Sequence, residues 1–366
     1  MLEFLTLKPE VFGLDISDLS LKIIKLKKKG KLLGLASFGE TSIKPGIIKE
    51  GEIKKEEELV KIIQEGLNKV KGEPIKTKYV IASLPEEKAF LQVIQMPRMP
   101  EEDLKSAVVY EAENYIPLPI EEVYLGSQIV LPVVNGLDHL DILIAALPKK
   151  TVDPYIACLK KANLKPLALE IESLVIARAL IKGERTTSPV LLIDLGATRT
   201  GFIVFSGHSL RFTFSIPVSS RGFTEIISRA LKINLTEAEK LKIKWGLEKK
   251  KEGGRIFEAL IPALTDLVQQ IKKYLSFYRT HASHEHLPSD GKEVGKIFLC
   301  GGGANLKGLP EFLSLQLKIP VGIGNPWINI LPESQKEVPE LPFEKSLAYT
   351  TALGLALRGI KEKTKR

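Results

Sequence analysis

The sequence predicts an α/β protein built from two related domains, and two observations support this. The chain has 366 residues, of which 44% are apolar, which is enough to bury more than one core. A unit of strand, carboxylate, small-residue turn and returning strands occurs twice, at Asp15 and about 180 residues later at Asp194. Because a repeated supersecondary unit indicates internal duplication, we expect two domains of similar architecture.

The first unit opens with three segments that have the hydrophobic pattern of strands. They read VFGLDIS, LSLKIIKLK and GKLLGLASFGE, with a lysine-rich turn at Lys29 and Gly30 between the last two. The segment KKEEELVKIIQEGLNKVKG follows with apolar residues at a helical period, and TKYVIASLP then reads as a buried strand. The order is therefore three strands, a helix and a strand.

Residues 86–166 have a different pattern of predicted strands and helices, which indicates a separate compact module. KAFLQVIQMP is a strand that ends at a proline, and EEDLKSAVVYEAENYI is a helix with acidic residues in its first turn. Two further strands and the helix KKTVDPYIACLKKANL complete it. We expect this module to be inserted into the first domain.

The second unit begins with VLLIDLGATRTGFIVFSGHSLRFTFSIPV, which again predicts three strands joined by short turns. A mostly helical stretch follows at 220–282. The segment GKIFLCGGGANLKGLPEFLSLQL then predicts a strand that leads into a glycine triplet and a helix, and residues 344–360 predict a last helix.

Two carboxylates on equivalent strands and a glycine-rich turn before a helix suit a phosphate and its metal ion. Small residues in a turn let backbone N–H groups approach phosphate oxygens closely. Carboxylates at a distance can hold Mg²⁺ through water molecules. Each feature alone is also compatible with an ordinary turn or a tight connection, but the three together in this order favour a nucleotide site.

Charge and composition exclude several other classes of protein. The net charge is +9 and the pI is near 9.2, but the basic runs are short and no aromatic residues interleave with them, so we expect no nucleic-acid partner. The two cysteines, Cys158 and Cys300, fit a reducing cytoplasm. We find no apolar run long enough to span a bilayer and no signal-peptide profile, so we expect a cytoplasmic protein.

Three motifs make the sequence resemble the actin-like ATPases. DISDLSLK from Asp15 and DLGATRT from Asp194 look like the two phosphate loops, and LCGGGAN looks like the adenosine motif. The resemblance implies an actin-like fold with ATP and Mg²⁺ in a cleft between two domains. It implies that Asp15 and Asp194 hold the metal through water, and that they bind the nucleotide together with Ser17, Ser20, Lys22, Gly196, Ala197, Thr198, Thr200, Glu239, Lys242, Gly301, Gly302, Gly303 and Asn305.

The resemblance also places Glu172 where relatives carry the residue that orients the attacking water. Simpler roles stay open: Asp194 as a turn cap, Glu172 as a solvated helix start, and Glu239 with Lys242 as a surface ion pair. The first loop departs from its relatives at Ser17, Asp18 and Leu19, where glycine and small hydroxyl residues are usual. We therefore expect ATP binding with slow or negligible hydrolysis.

The inserted module distinguishes one family of actin-like ATPases from another. Residues 86–166 are similar to subdomain 1C of the FtsA and PilM families, and EEDLKSAVVYEAENYIPLPIEEVYL resembles the PilM version. The resemblance extends from about residue 11 to 360. It implies subdomain 1A at 1–85 and 167–188, 1C at 86–166, 2A at 189–218 and 283–340, a helical 2B at 219–282, and a closing 1A helix with a basic tail at 341–366.

The resemblance to the PilM family implies an adaptor of the type IV pilus inner-membrane platform. Such a protein takes the cytoplasmic N-terminal peptide of the bitopic membrane protein PilN into the cleft between 1A and 1C. It meets other platform proteins, contacts the membrane only indirectly, and allows a homo-oligomer. The alternatives are an FtsA-like cell-division protein, a kinase of the same superfamily and the cytoplasmic domain of a type II secretion protein. The first would carry an amphipathic C-terminal helix, the second a general base in the insert, and the third a membrane span.

Overall fold

The computed structural model describes residues 9–30, 32–132, 137–250, 252–282, 292–332 and 340–361. Its strands are β1 (Phe12–Ile16), β2 (Ser20–Lys29), β3 (Leu32–Ser42), β4 (Ile48–Lys49), β5 (Glu52–Ile53), β6 (Lys71–Gly72), β7 (Tyr79–Leu84), β8 (Phe90–Pro97), β9 (Val123–Val130), β10 (His139–Pro148), β11 (Lys165–Ile171), β12 (Val190–Leu195), β13 (Thr200–Ser206), β14 (Ser209–Ile216), β15 (Lys296–Cys300) and β16 (Val321–Ile323). Its helices are α1 (Glu56–Asn68), α2 (Glu101–Ala112), α3 (Lys149–Lys161), α4 (Glu172–Leu180), α5 (Ser220–Leu231), α6 (Leu235–Trp245), α7 (Glu252–His281), α8 (Leu309–Leu317), α9 (Phe343–Ser346) and α10 (Thr350–Lys361).

The first lobe is organised around a six-stranded sheet with the order β11-β7-β1-β2-β3-β6. Strands β1, β2 and β3 form an antiparallel meander, whereas β7 lies parallel to β1 and β11 parallel to β7. Parallel neighbours need a crossover connection, and α1 lies in the one between the meander and β7. The apolar side of α1, including Leu59 and Ile63, is fully buried in the core of this lobe.

The second lobe repeats this arrangement in a sheet with the order β14-β13-β12-β15-β16. Here β12, β13 and β14 form the antiparallel meander, β15 lies parallel to β12, and β16 lies parallel to β15. Strand β12 therefore takes the place of β1. The duplication predicted from the two carboxylate motifs is confirmed at the level of sheet topology.

Helices α4 and α10 join the two lobes. Helix α10 packs against β1, where a Cβ added to Gly13 would lie 2.5 Å from the carbonyl oxygen of Ala352. It also packs against α4, where Gly354 faces the carbonyl oxygen of Val175 too closely for a side chain. The other side of α4 packs through Ile176 against the second sheet. The lobes are thus connected by a closely packed helix pair.

The inserted module is a three-stranded sheet, β8-β10-β9, with α2 on one face. Its small core includes Ile94 and Ile144 from the sheet and Val108 from α2. Helix α3, which the predicted limits of 86–166 assign to this module, packs instead in the core of the first lobe through Tyr155 and Leu159. The reason is that the apolar face of α3 is turned toward α1 and the first sheet. The rest of the subdomain division stays a prediction.

Candidate functional site

A cavity of about 810 Å³ lies between the two lobes, at the ends of β1 and β12. Asp15 and Asp194, the two repeated carboxylates, both line it. The start of α4, the first turn of α5, helix α6 and the loop after β15 complete the wall. The duplicated strands therefore bring together the two acidic residues that are 179 positions apart in the sequence.

The turn between β1 and β2 supplies one polar wall of this cavity. Asp15 is buried, and its Oδ1 accepts a hydrogen bond from the Ser83 hydroxyl at 3.0 Å. Lys22 lies opposite Asp15 in the β1–β2 register, and its ammonium donates to the Ser20 hydroxyl. The Ser17 hydroxyl donates to the Ser20 carbonyl oxygen at 3.0 Å. All four residues predicted in this loop thus lie at the cavity.

Asp18 is held in a way that the sequence did not indicate. Its carboxylate accepts the backbone N–H groups of Glu50 and Gly51, each at 3.1 Å, in the turn between β4 and β5. These two donors compensate part of the negative charge that Asp18 brings to the cavity wall. The departure from the usual first loop therefore ties the β1–β2 turn to a second turn of the same lobe.

The turn between β12 and β13 supplies the facing wall. The N–H group of Gly196 donates to the carbonyl oxygen of Arg199 at 2.9 Å, and Ser220 N–H donates to the Gly196 carbonyl oxygen at 3.0 Å. This second contact fixes the turn to the first turn of α5. Ala197 and Thr198 lie between these anchors and line the cavity.

Two residues predicted to bind nucleotide turn away from the cavity. Thr200 is fully buried, and its hydroxyl donates to the Val218 carbonyl oxygen at 2.7 Å. The side chain of Asn305 donates to the Glu344 carbonyl oxygen at 2.8 Å and so fixes the glycine loop to α9. Neither residue is part of the cavity wall as the described residues form it. Both side chains stabilise the loops on which the site depends, and direct contact of either one with a ligand stays a prediction.

The loop after β15 passes very close to the second carboxylate. Gly301 has a φ of 79°, in the left-handed region, and a Cβ at this position would overlap the Asp194 carboxylate. A Cβ on Gly303 would lie 2.6 Å from the Leu195 side chain. Gly302 has more room and faces the cavity. Two of the three glycines are therefore required by the contact between this loop and β12.

Several carboxylates share the cavity, and this raises their pKa values. Burial raises the pKa of Asp194 to about 6, and the charge of Asp15 contributes to the shift. Burial also raises the pKa of Glu172 well above its usual range, with further contributions from Asp15 and Glu87. Glu172 is half-buried at the start of α4 and lies in the cavity wall among other acidic groups, so its role toward a ligand stays a prediction.

Glu172 is positioned by a reciprocal pair of hydrogen bonds. The backbone N–H of Glu86 donates to the Glu172 carboxylate at 3.4 Å, and the backbone N–H of Ser173 donates to the Glu86 carboxylate at 3.3 Å. These two hydrogen bonds fix the segment after β7 to the start of α4. This arrangement directs the Glu172 carboxylate into the cavity.

Lys242 is a buried residue, and the alternative of an ordinary surface ion pair is wrong for it. Its side chain contacts the carboxylate of Glu239 at 2.8 Å, the hydroxyl of Thr224 at 2.8 Å, and both the hydroxyl and the carbonyl oxygen of Ser220 at 2.9 Å. Burial lowers the pKa of Lys242, and Glu239 opposes this shift. Lys242 thus ties α6 to the start of α5, and Glu239 remains in the cavity wall.

Sequence reasoning missed several residues of the cavity wall, among them Glu86, Glu87, Tyr155, Thr350 and Thr351. The two glutamates follow the end of β7, which is parallel to β1, so their position after a buried strand could have indicated them. The Tyr155 hydroxyl donates to the Gly51 carbonyl oxygen at 3.0 Å, a contact between residues 104 positions apart. Only the tertiary structure brings such residues to the site.

The acidic residues suit a metal ion that is also held by other ligands. Within the described ranges, no group of three or more His, Cys, Asp or Glu side chains could hold a metal by itself. Mg²⁺ usually keeps several water molecules and takes one or two carboxylates together with phosphate oxygens. Asp15 and Asp194 fit that role, because a cation between them would offset the burial and the Asp15 charge that together raise the pKa of Asp194.

A second groove, of about 580 Å³, separates the inserted module from the first lobe. Its sides are the edge strand β9 of the three-stranded sheet and the edge strand β11 of the six-stranded sheet. Its wall is mainly apolar and includes Leu125, Leu143 and Leu167. Glu170 at its base pairs with Arg358 at 2.7 Å. The groove is open to a ligand that can approach two unpaired strand edges.

Two lobes with the same hairpin-and-parallel-strand sheet, and strand-end carboxylates facing a cavity between them, define an actin-like protein. The chain is similar in fold to MreB 5 of Spiroplasma citri, with a TM-score of 0.57 and 13% identity over 98% of both chains. It is more similar to a solved PilM–PilN type IV pilus biogenesis complex, with a TM-score of 0.78 and 28% identity over 96% of this chain and 98% of the other. No helix among the described residues is long and apolar enough to cross a membrane.

The family model for type IV pilus assembly protein PilM matches residues 13–360, and the chain belongs to this family. The family resemblance read from the motifs is thereby confirmed. The cell-division protein FtsA of Pseudomonas aeruginosa is 22% identical over 219 residues, which are 57% of this chain and 51% of the relative. FtsA of Neisseria meningitidis is 24% identical over 185 residues. The chain spans about half the length of these curated relatives.

Proposed function

We propose that this PilM family member binds Mg-ATP in the cavity between its lobes and a PilN peptide in the groove beside its inserted module. The observation that carries the nucleotide proposal is the meeting of Asp15, Asp194 and the glycine loop at one cavity of about 810 Å³. MreB 5, which has the same fold, was solved with AMPPNP, an ATP analogue, and this supports the ligand class.

Residues of both lobes contribute to the binding of Mg-ATP. Asp15 and Asp194 hold the metal through water, while Lys22 and the N–H groups of the two turns meet the phosphates. Glu239 and the exposed edge of Gly302 face the adenosine part. When bound, Mg²⁺ neutralises the phosphates and the surrounding carboxylates together.

Hydrolysis is slow in this proposal. Glu172 is the residue positioned to orient a water molecule, but burial and its acidic neighbours favour its neutral form, which is a poor acceptor for a proton. We expect turnover below about 1 per second, the lower end of the range for metabolic enzymes. Faster turnover in a steady-state phosphate-release assay would show that Glu172 is an effective base.

Calorimetry tests the nucleotide site. Asp194→Ala should weaken Mg-ATP affinity at least about tenfold, because a metal anchor is lost while the phosphates keep their charge. Asp138→Ala, at a carboxylate whose side chain is 98% exposed, is the control and should bind as the wild type does. Equal affinity in the wild type and the Asp194 variant would contradict the assignment of this carboxylate to the metal.

The peptide proposal is supported by the groove between β9 and β11. Both are edge strands, so an extended peptide placed there can form backbone hydrogen bonds on either side, with apolar side chains against Leu143 and Leu167. The PilM chain of the solved complex, 28% identical to this one, binds PilN. A peptide of about ten residues buries little area, and we expect an affinity near micromolar.

Titration of the N-terminal peptide of PilN from the same organism tests this site. Leu167→Asp, at a half-exposed position of the groove wall, should reduce peptide affinity at least about tenfold by placing a charge in an apolar site. Leu315→Asp on α8, where the side chain is 75% exposed and outside the groove, is the matched control. Point variants are preferable to removal of 86–166, because α3 is part of the first core. Loss of binding in both variants or in neither would place the peptide elsewhere.

Through PilN the protein would be cytoplasmic and peripheral to the inner membrane, without inserting into it. Contacts with other platform proteins and assembly into a homo-oligomer are compatible with this role. They belong to the same proposal.

A further inference from the structure

The inserted module contacts the second lobe as well as the first, and a buried ion pair lies in this contact. Asp141 on β10 and Arg211 on β14 are joined by an Nη1–Oδ2 distance of 2.5 Å. Their side chains are only 7% and 4% exposed. Asp141 also lies 3.5 Å from His139 Nε2, but separating the pair would leave the buried Arg211 guanidinium without its carboxylate, which is strongly unfavourable. The pair therefore holds the insert to β14.

Two further contacts reinforce the attachment to the second lobe. Leu91 on β8 packs against the apolar cluster that contains Leu210 of β14. The Thr213 hydroxyl of β14 donates to the carboxylate of Glu86, in the segment that leads into the insert. Strand β14 thus contacts the insert at successive positions along its length.

The same strand reaches the nucleotide cavity. Ser215 lies four residues after Arg211 on β14, about 13 Å along an extended strand. It lines the cavity, and its hydroxyl accepts a hydrogen bond from Arg199 Nε at 2.8 Å in the turn after β12. A displacement of this turn relative to the first lobe is therefore transmitted directly to β14.

Strand β10, which carries Asp141 of the ion pair, also lines the groove. Asp141 lies opposite Val130 of β9 in the antiparallel register, and Leu143, two residues further along β10, lines the groove. The opposite side of the groove is β11, which belongs to the first lobe. The width of the groove thus depends on the position of the insert relative to that lobe.

We propose that the Asp141–Arg211 pair couples the nucleotide cavity to the groove. When the lobes change their relative position, the pair makes the insert follow the second lobe, and the distance between β9 and β11 changes. Nucleotide and groove ligand then influence each other's affinity, as linkage requires. The identity of the two ligands rests on the function proposed above, whereas the mechanical connection rests on the contacts of β14.

Hydrogen exchange of residues 123–130 tests the connection without a peptide. In the wild type, Mg-AMPPNP should change the exchange rates of these β9 amides by at least about threefold, although the nucleotide does not touch them. Asp141→Asn and Arg211→Gln should each abolish the change, and the double variant should do no more than either, because the pair acts as one unit. Asp103→Asn, at an exposed carboxylate on α2 of the insert, should behave as the wild type.

The double variant Asp141→Asn/Arg211→Gln leaves no unpaired buried charge, so it carries the test if a single variant is poorly folded. An unchanged β9 in nucleotide-bound wild type, or a nucleotide response that persists in the double variant, would overturn the proposal. A second measurement is the ratio of PilN-peptide dissociation constants without and with Mg-AMPPNP. This ratio should differ from one by at least about fivefold in the wild type and approach one in the variants. Exchange changes without any peptide binding would support the coupling and refute the peptide assignment instead.

Discussion

Replacing Asp194 by asparagine should stabilise the ligand-free protein and, at the same time, weaken its response to Mg-ATP. Asparagine has the same shape and can still accept the hydrogen bond from the Cys300 thiol, which lies 3.8 Å from Asp194 Oδ1. It differs from aspartate in lacking the charge. The variant therefore isolates the electrostatic cost of keeping a carboxylate at the end of β12.

The magnitude follows from the pKa of Asp194, which rises from an ordinary value of 3.8 to about 6 in the folded protein. A carboxyl group with a raised pKa binds its proton more tightly in the folded state, so its ionisation lowers stability as the pH increases through this interval. The cost reaches up to about 3 kcal/mol at pH 7 and about half of that at pH 5. We expect the asparagine variant to exceed the wild type by these amounts.

Urea unfolding at pH 5 and pH 7 measures the difference in the free energy of unfolding between the two proteins. Saturating Mg-ATP should then stabilise the wild type more than the variant, because the metal meets two carboxylates in the wild type and only Asp15 in the variant. A variant that is less stable than the wild type at pH 7 would refute the reasoning. So would a stability difference that does not decrease on going to pH 5.

Four other substitutions test the local arrangement. Gly301→Ala should lower both the melting temperature and the nucleotide affinity, because its Cβ would overlap a carboxylate, whereas Gly302→Ala should have little effect on stability. Thr200→Val should cost about 1 kcal/mol of stability in urea unfolding through its buried hydrogen bond, and should leave nucleotide affinity by calorimetry unchanged. Lys242→Met should lower stability by about 1–3 kcal/mol, since several buried acceptors lose their donor. If the Lys242 variant were as stable as the wild type, Lys242 would contribute no more to stability than a surface ion pair does.

The fold was predictable because its signals are local and occur twice. Apolar segments with strand character and a carboxylate before small residues are visible in the sequence around Asp15 and Asp194, and the topology of both sheets agrees with them. The inserted module was also predictable from local signals, because the pattern of predicted strands and helices changes after Pro85. The packing of α3 in the core of the first lobe could not be predicted, because the packing partner of a helix cannot be read from its periodicity alone.

The candidate site was predictable in its loops and less so in its side chains. The sequence by itself determined that two acidic strand ends and a glycine loop exist, since those are properties of short segments. Only the tertiary structure decided that Thr200 faces the core, that Lys242 is buried among acceptors, and that Glu86 lies beside Glu172. It also decided that Asp141 of the inserted module meets Arg211 of the second lobe. These outcomes depend on contacts between residues far apart in the chain, where burial and partner geometry, rather than local preference, fix the position of each charge.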